Sequence, residues 1–123
     1  TLLAVTQLQP VTTWDSLLER SLWHAEKLRR AEARSDGRLR IVRSGGEIDR
    51  LLADRAAGKQ VTGALLSVEG LQDLEGQLSN VETLHEAGFR MAGLVHFFDN
   101  DIAGSMHGLK KGGLTPLGRQ VVP

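Results

Sequence analysis

Cysteine is absent from the 123 residues. That excludes a disulfide framework, a thiolate zinc site and a cysteine nucleophile, so any metal must be held by histidine and carboxylate side chains. Tyrosine is absent too and aromatics make up 4%, which leaves an aliphatic core. Neither sign of charge prevails: 15 Lys+Arg stand against 15 Asp+Glu, with no Lys/Arg-rich block. Nucleic acid and anionic membrane surfaces both need a concentrated basic patch, so neither is an expected partner. No apolar run approaches the roughly 18 residues of a transmembrane helix, and Thr1-Leu2-Leu3-Ala4-Val5 lacks the basic region of a signal peptide. Internal repeats and low-complexity linkers are missing as well. What is present, 41% hydrophobic and 24% charged residues, is the composition of an ordinary globular chain of at most one domain. The chain opens without Met inside an apolar run and closes on Val121-Val122-Pro123. This reads as a fragment of a longer protein and leaves the native compartment open.

Residues 2–6 are the kind of short apolar run that a buried strand gives. Thr12 or Thr13 can cap the helix that follows, with Asp15 placing negative charge at its positive end. Trp14, Leu17, Leu18, Leu22, Ala25 and Leu28 fall at helical spacing until Asp36-Gly37. Leu39-Arg40-Ile41-Val42-Arg43 alternates like a short strand. Ser44 and Glu47 form a capping box ahead of the stripe Ile48, Leu51, Leu52 and Ala56, which Gly58 ends. Residues 61–68 are nearly all apolar or small, the pattern of a strand buried on both faces of a parallel sheet. Leu74, Leu78, Val81 and Leu84 predict another helix, and 89–98 is strand-like again. Beyond a glycine-rich loop over 99–113, Thr115-Pro116 fits a helix start. This alternation predicts an α/β layer structure in which strands at 2–6, 61–68 and 91–97 are parallel neighbours. Helices near 14–34, 46–57 and 73–86 should lie on the outer side of that sheet.

In parallel α/β folds, functional residues gather where strands end at their carboxyl side. Glu69 follows an apolar strand and precedes Gly70, whose freedom permits a sharp turn, so its carboxylate belongs at that rim. The alternative is a solvated acid that caps the next helix. His96, near the end of Leu94-Val95-His96-Phe97-Phe98, can ligate a metal or hydrogen-bond a polarised carbonyl, or it can be a core histidine with a backbone partner. His24 on the first helix and His85 in a last helical turn read as structural, and His107 as an exposed loop residue with a possible ligand contact. Asp99-Asn100-Asp101 begins like a calcium loop but lacks the glycine and glutamate such a loop requires, so turn chemistry is the reading. Gly45-Gly46 and Gly112-Gly113 match neither phosphate-binding fingerprint.

Taken in order, Leu66-Ser67-Val68-Glu69-Gly70, Leu84-His85-Glu86-Ala87-Gly88-Phe89-Arg90, Leu94-Val95-His96 and Gly113-Leu114-Thr115-Pro116-Leu117-Gly118 resemble the middle of the membrane dipeptidase (renal dipeptidase) family. The resemblance runs from about residue 10 to the end and is concentrated over 64–118. It implies a metal-dependent amidohydrolase, a (β/α)8 barrel that holds two zinc ions at its C-terminal rim. By the same resemblance, Glu69 matches the glutamate that bridges both zincs, and His96 a histidine that contacts substrate and assists the tetrahedral intermediate. Asn100 and Ser105 fall in the loop where the family carries an asparagine and small polar residues beside the substrate, with spacing from His96 off by about one residue. The family's His-x-Asp zinc pair, its remaining ligands and its substrate-gripping arginine have no counterpart in the chain.

A complete barrel of this kind needs about 250 residues, so the expected fold class is α/β, a partial (β/α)8 TIM barrel covering roughly strands two to four. The expected function is that of a fragment of a zinc-dependent, dipeptidase-like hydrolase acting on a dipeptide or related amide bond and inactive by itself. A non-catalytic α/β structural or interaction domain is the alternative. Open sheet edges call for the remainder of the barrel, or a self-assembly, as partner.

Overall fold

The computed structural model describes residues 16–122. The expected strand at 2–6, and Thr12 and Thr13, lie outside them. Helix α1 (Leu17–Ala33) is followed by strand β1 (Leu39–Ile41), helix α2 (Gly45–Ala56), and strands β2 (Thr62–Ala64) and β3 (Leu66–Glu69). A 3-10 turn (Leu71–Leu74), helix α3 (Asn80–Glu86), strand β4 (Phe89–Gly93) and a short helix α4 (Gly118–Val121) complete the order. Three of the four helices begin at a side-chain cap, α3 being the exception. Ser16 is extended, and its hydroxyl accepts from the Glu19 amide at 2.9 Å, so α1 starts later than the expected residue 14. Ser44 does the same for α2, accepting from the Glu47 amide at 3.3 Å, while the Glu47 carboxylate reaches back to the Arg43 amide. Thr115 accepts from the Gly118 amide at 3.0 Å and so starts α4.

Both strand pairings are parallel. β1 pairs with β2 in the register Leu39↔Thr62 to Ile41↔Ala64. β3 pairs with β4, matching Leu66 to Phe89 and Glu69 to Gly93, with an irregularity after Leu66 that leaves Arg90 as the extra residue. A bulge re-aims its side chain. Here the Arg90 guanidinium donates to the carbonyls of Arg43 at 2.9 Å and His85 at 2.6 Å, tying the end of β1 to the end of α3.

Three expectations need correction. The apolar stretch 61–68 is interrupted at Leu65, so its first half pairs with β1 and its second with β4. Nor is it covered on both faces. In β3, Leu66 and Val68 are buried while Ser67 and Glu69 are exposed, because α1, α3 and the 3-10 turn cover one face. The expected helix over 73–86 is split: Glu75 and Gly76 have φ of 50° and 75°, a left-handed conformation that no right-handed helix passes through. The expected strand over 91–97 ends at Gly93. The Leu94 carbonyl still accepts from the Leu71 amide at 3.1 Å, but it also accepts from the Asn100 side chain at 2.9 Å, where the chain turns out of the sheet.

Leu66, Val68, Leu71, Leu74, Leu84, Phe89 and Ile102 gather with Ala25 of α1 into the larger apolar cluster. Val42, Leu51 and Val61 form a smaller one where α2 meets β1 and β2. Gly63 leaves the room that the Leu51 side chain fills there, since a Cβ at that position would lie 2.3 Å from its terminal methyl and displace it.

Candidate functional site

Glu69 occupies the last position of β3, opposite Gly93 of β4. A glycine there puts no side chain beside the carboxylate across the ladder. Gly70 then takes φ 97°, a conformation that glycine adopts without steric cost, and the chain enters the 3-10 turn. The result is a half-exposed carboxylate on the uncovered face at the carboxyl end of the strand.

His96 stands three residues beyond the end of β4. Its Nε2 lies 3.5 Å from Glu69 Oε1, with side-chain exposures of 32% and 47% respectively. That separation is longer than a tight N–H···O hydrogen bond and close enough for direct electrostatic contact. The two strongest candidates from the sequence are thus side by side at one rim. His96 is not a core histidine: one side of its ring is covered by Phe97, with centroids 4.0 Å apart, and Phe97 in turn faces His107 at 5.9 Å.

The loop beyond His96 is held by side chains turned inward on its own backbone. Asn100 Oδ1 accepts from the amides of Ile102 and Ala103 at 2.9 and 3.1 Å, the turn chemistry expected of Asp99-Asn100-Asp101. Ser105 is 1% exposed; its hydroxyl donates to the His96 carbonyl and accepts from the His107 amide. Asp99 accepts from the amides of Ser105 and Lys110, both at 2.8 Å, and these bonds hold its carboxyl below the usual carboxylate range, Lys110 contributing most. Sequence reasoning gave Asp99 no individual role. An acid at the head of a glycine-rich run was the available signal.

Asp73 was also missed. It is buried in the 3-10 turn directly after Gly70 and takes a hydrogen bond from the Ser21 hydroxyl of α1. Burial pushes its carboxyl up, against the opposing pull of Ser21. His24 on α1 is pushed down by burial and then by Arg20. His85 is exposed in the last turn of α3. A polar hollow lined by Arg40, Glu47, Arg50, Ala53 and Asp54 contains none of the candidate residues; Asp54 there is bridged to Arg40 and Lys59, both at 2.7 Å.

Among the described residues, no group of three or more His, Cys, Asp and Glu side chains stands close enough to hold a metal ion. Glu69 can fill one ligand position, but a tetrahedral zinc site needs about four, so these residues do not by themselves make a metal centre. No helix among them is long and apolar enough to cross a membrane.

Parallel strands, covering helices and an acid–imidazole pair at the strand ends define an α/β protein with a rim site. The model of the membrane dipeptidase family, peptidase family M19, matches residues 4–123, and the chain belongs to that family of dipeptidase-like hydrolases. Comparison with curated proteins gave no match.

Proposed function

We propose that the chain forms part of a zinc-dependent dipeptidase, contributing one arc of a (β/α)8 barrel with Glu69 as a metal-bridging carboxylate and His96 as a substrate-contacting imidazole. The observation that carries this reading is the 3.5 Å approach of His96 to Glu69 on the uncovered side of a parallel strand pair. Family membership supports a small peptide as the substrate class. Bound zinc would polarise a scissile carbonyl and acidify a water. The part of this chain's own residues is narrower. Glu69 presents an anionic oxygen pair, Gly93 leaves space beside it, and the His96 Nε2 can donate to an oxyanion that develops there.

One carboxylate cannot fix two metals, so the chain by itself should hold no stoichiometric zinc and cleave no dipeptide. Its uncovered face, which carries Ser67, Glu69 and Met91, is the inner wall that the remainder of a barrel, or a second copy, would cover. The test is Glu69→Gln in the complete zinc-loaded protein that contains this segment. Zinc content and dipeptide hydrolysis should fall together, whereas His96→Ala should keep the zinc and lose about 10²-fold or more in rate. Unchanged zinc and unchanged rate in Glu69→Gln would remove Glu69 from the site.

A further inference from the structure

We infer that Ser105 and Asp99 are positioning residues for His96, acting as a hydrogen-bonded latch that holds the imidazole against Glu69. The β3–β4 ladder ends at Glu69↔Gly93, so sheet pairing does not reach residue 96. Something else must hold the backbone there, and a fully buried hydroxyl does so: Ser105 donates to the His96 carbonyl while accepting from the His107 amide. A buried hydroxyl keeps such bonds because breaking them leaves polar groups without partners. Ser105 is in turn gripped by Asp99, whose two oxygens take the amides of Ser105 and Lys110 and so fold residues 105–110 back onto 96–99. Gly108 is part of the same clasp. A Cβ at that position would lie 1.9 Å from Asp99 Oδ1, so no larger residue lets the loop close over the carboxylate. From the other side, the Asn100 side chain holds the Leu94 carbonyl at 2.9 Å. His96 is therefore suspended between two side-chain anchors, and its ring is wedged by Phe97.

The importance of the latch for catalysis rests on the proposed role of His96, but the positioning itself does not. The experiment separates the two. On the full chain, the rate at which diethyl pyrocarbonate modifies each histidine is followed by peptide mapping, with His24 and His85 as internal references. Ser105→Ala should speed modification of His96 about fivefold, the factor that one net hydrogen bond supports, and leave His24 and His85 unchanged. Asp99→Asn keeps an acceptor for Ser105 but loses the one for Lys110, and should give a smaller rise in the same direction; it serves also if Ser105→Ala does not fold. His96 rates equal to wild type in a folded variant would overturn the inference, as would equal acceleration at all the mapped histidines. In the complete enzyme, the latch variants should lower kcat more than they raise KM. An absence of hydrolysis in the wild type would count against the dipeptidase reading and leave the modification result standing.

Discussion

Eight buried residues drawn from α1, β3, the 3-10 turn, α3, β4 and the loop after it stand behind the β3–β4 pair, whereas three form the cluster beside β1–β2. Both pairs are parallel and short, and their sequences are similarly aliphatic. The difference lies in what packs on them. β3–β4 is backed by elements that come from both before and after it in the chain, and Leu74 and Ile102 at its centre are fully buried. The pair β1–β2 has α1 against β1, where Ile41 is fully buried, and in the smaller cluster meets α2 through Leu51 alone, while Ile48 and Leu52 of α2 remain exposed. Glu69 stands on the better-packed pair and His96 just past its end, which suits a site whose geometry must be held by its supports.

The contrast is tested most severely by cavity formation. Leu74→Ala in the assembled protein should cost about 3–5 kcal/mol, near the upper end for a fully enclosed leucine, and Leu51→Ala about 2 kcal/mol, since a shallow cluster can collapse around the loss. Chemical denaturation measures both, and equal losses would mean that the two pairs share one core.

Titration separates the helix-covered side from the rim loop. Burial raises Asp73 above its ordinary value of 3.8, so its contribution to stability is complete below that value and is lost as pH rises through the higher folded value. Asp73→Asn should therefore gain on wild type as pH climbs through that window. Asp99 is lowered from the same ordinary value by the amides it accepts, so its contribution is present above 3.8 and is lost as pH falls through the lower folded value. Asp99→Asn should thus lose ground to wild type as pH rises. Slopes of the same sign in pH-dependent denaturation would contradict one of the two assignments.

The smallest effect concerns how α1 is docked. Glu75, held at positive φ, accepts from the amides of Leu17 and Leu18 at 2.8 and 3.4 Å, capping α1 from across the fold. Glu75→Gln keeps an acceptor but removes the charge at the helix's positive end, and should cost about 0.5–1 kcal/mol, with less loss at high salt.

Much of this was legible along the chain because the determinants are local. Ser44 and Glu47 sit three residues apart, as a capping box demands, and the cap forms. Thr115-Pro116 marked the start of α4, where the hydroxyl takes the Gly118 amide. Glu69 before Gly70 identified an acid at a strand end, since a strand followed by a glycine turn can put it nowhere else. The same three-residue spacing recurs at Ser16 and Glu19, where the Ser16 hydroxyl takes the Glu19 amide and starts α1.

By itself, then, the sequence determined the alternation of helix and strand, the starts of α2 and α4, the position of Glu69 and the family to which its motifs belong, since each depends on residues a few positions apart. Tertiary structure decided the rest. The stretch 61–68 carries one uniform apolar pattern, and nothing within it says that its halves pair with different strands or that one face stays uncovered. Those outcomes depend on where β1, β4 and the helices come to lie. Asp73 reads as a helix-face acid until α1 folds over it and Ser21 reaches it. The meeting of Glu69 and His96 joins residues 27 positions apart, one at the end of a strand and one beyond it. It depends on the β3–β4 register and on a loop folded back by Asp99 and Ser105 through hydrogen bonds that span 6 to 11 residues, at no fixed spacing of a regular element.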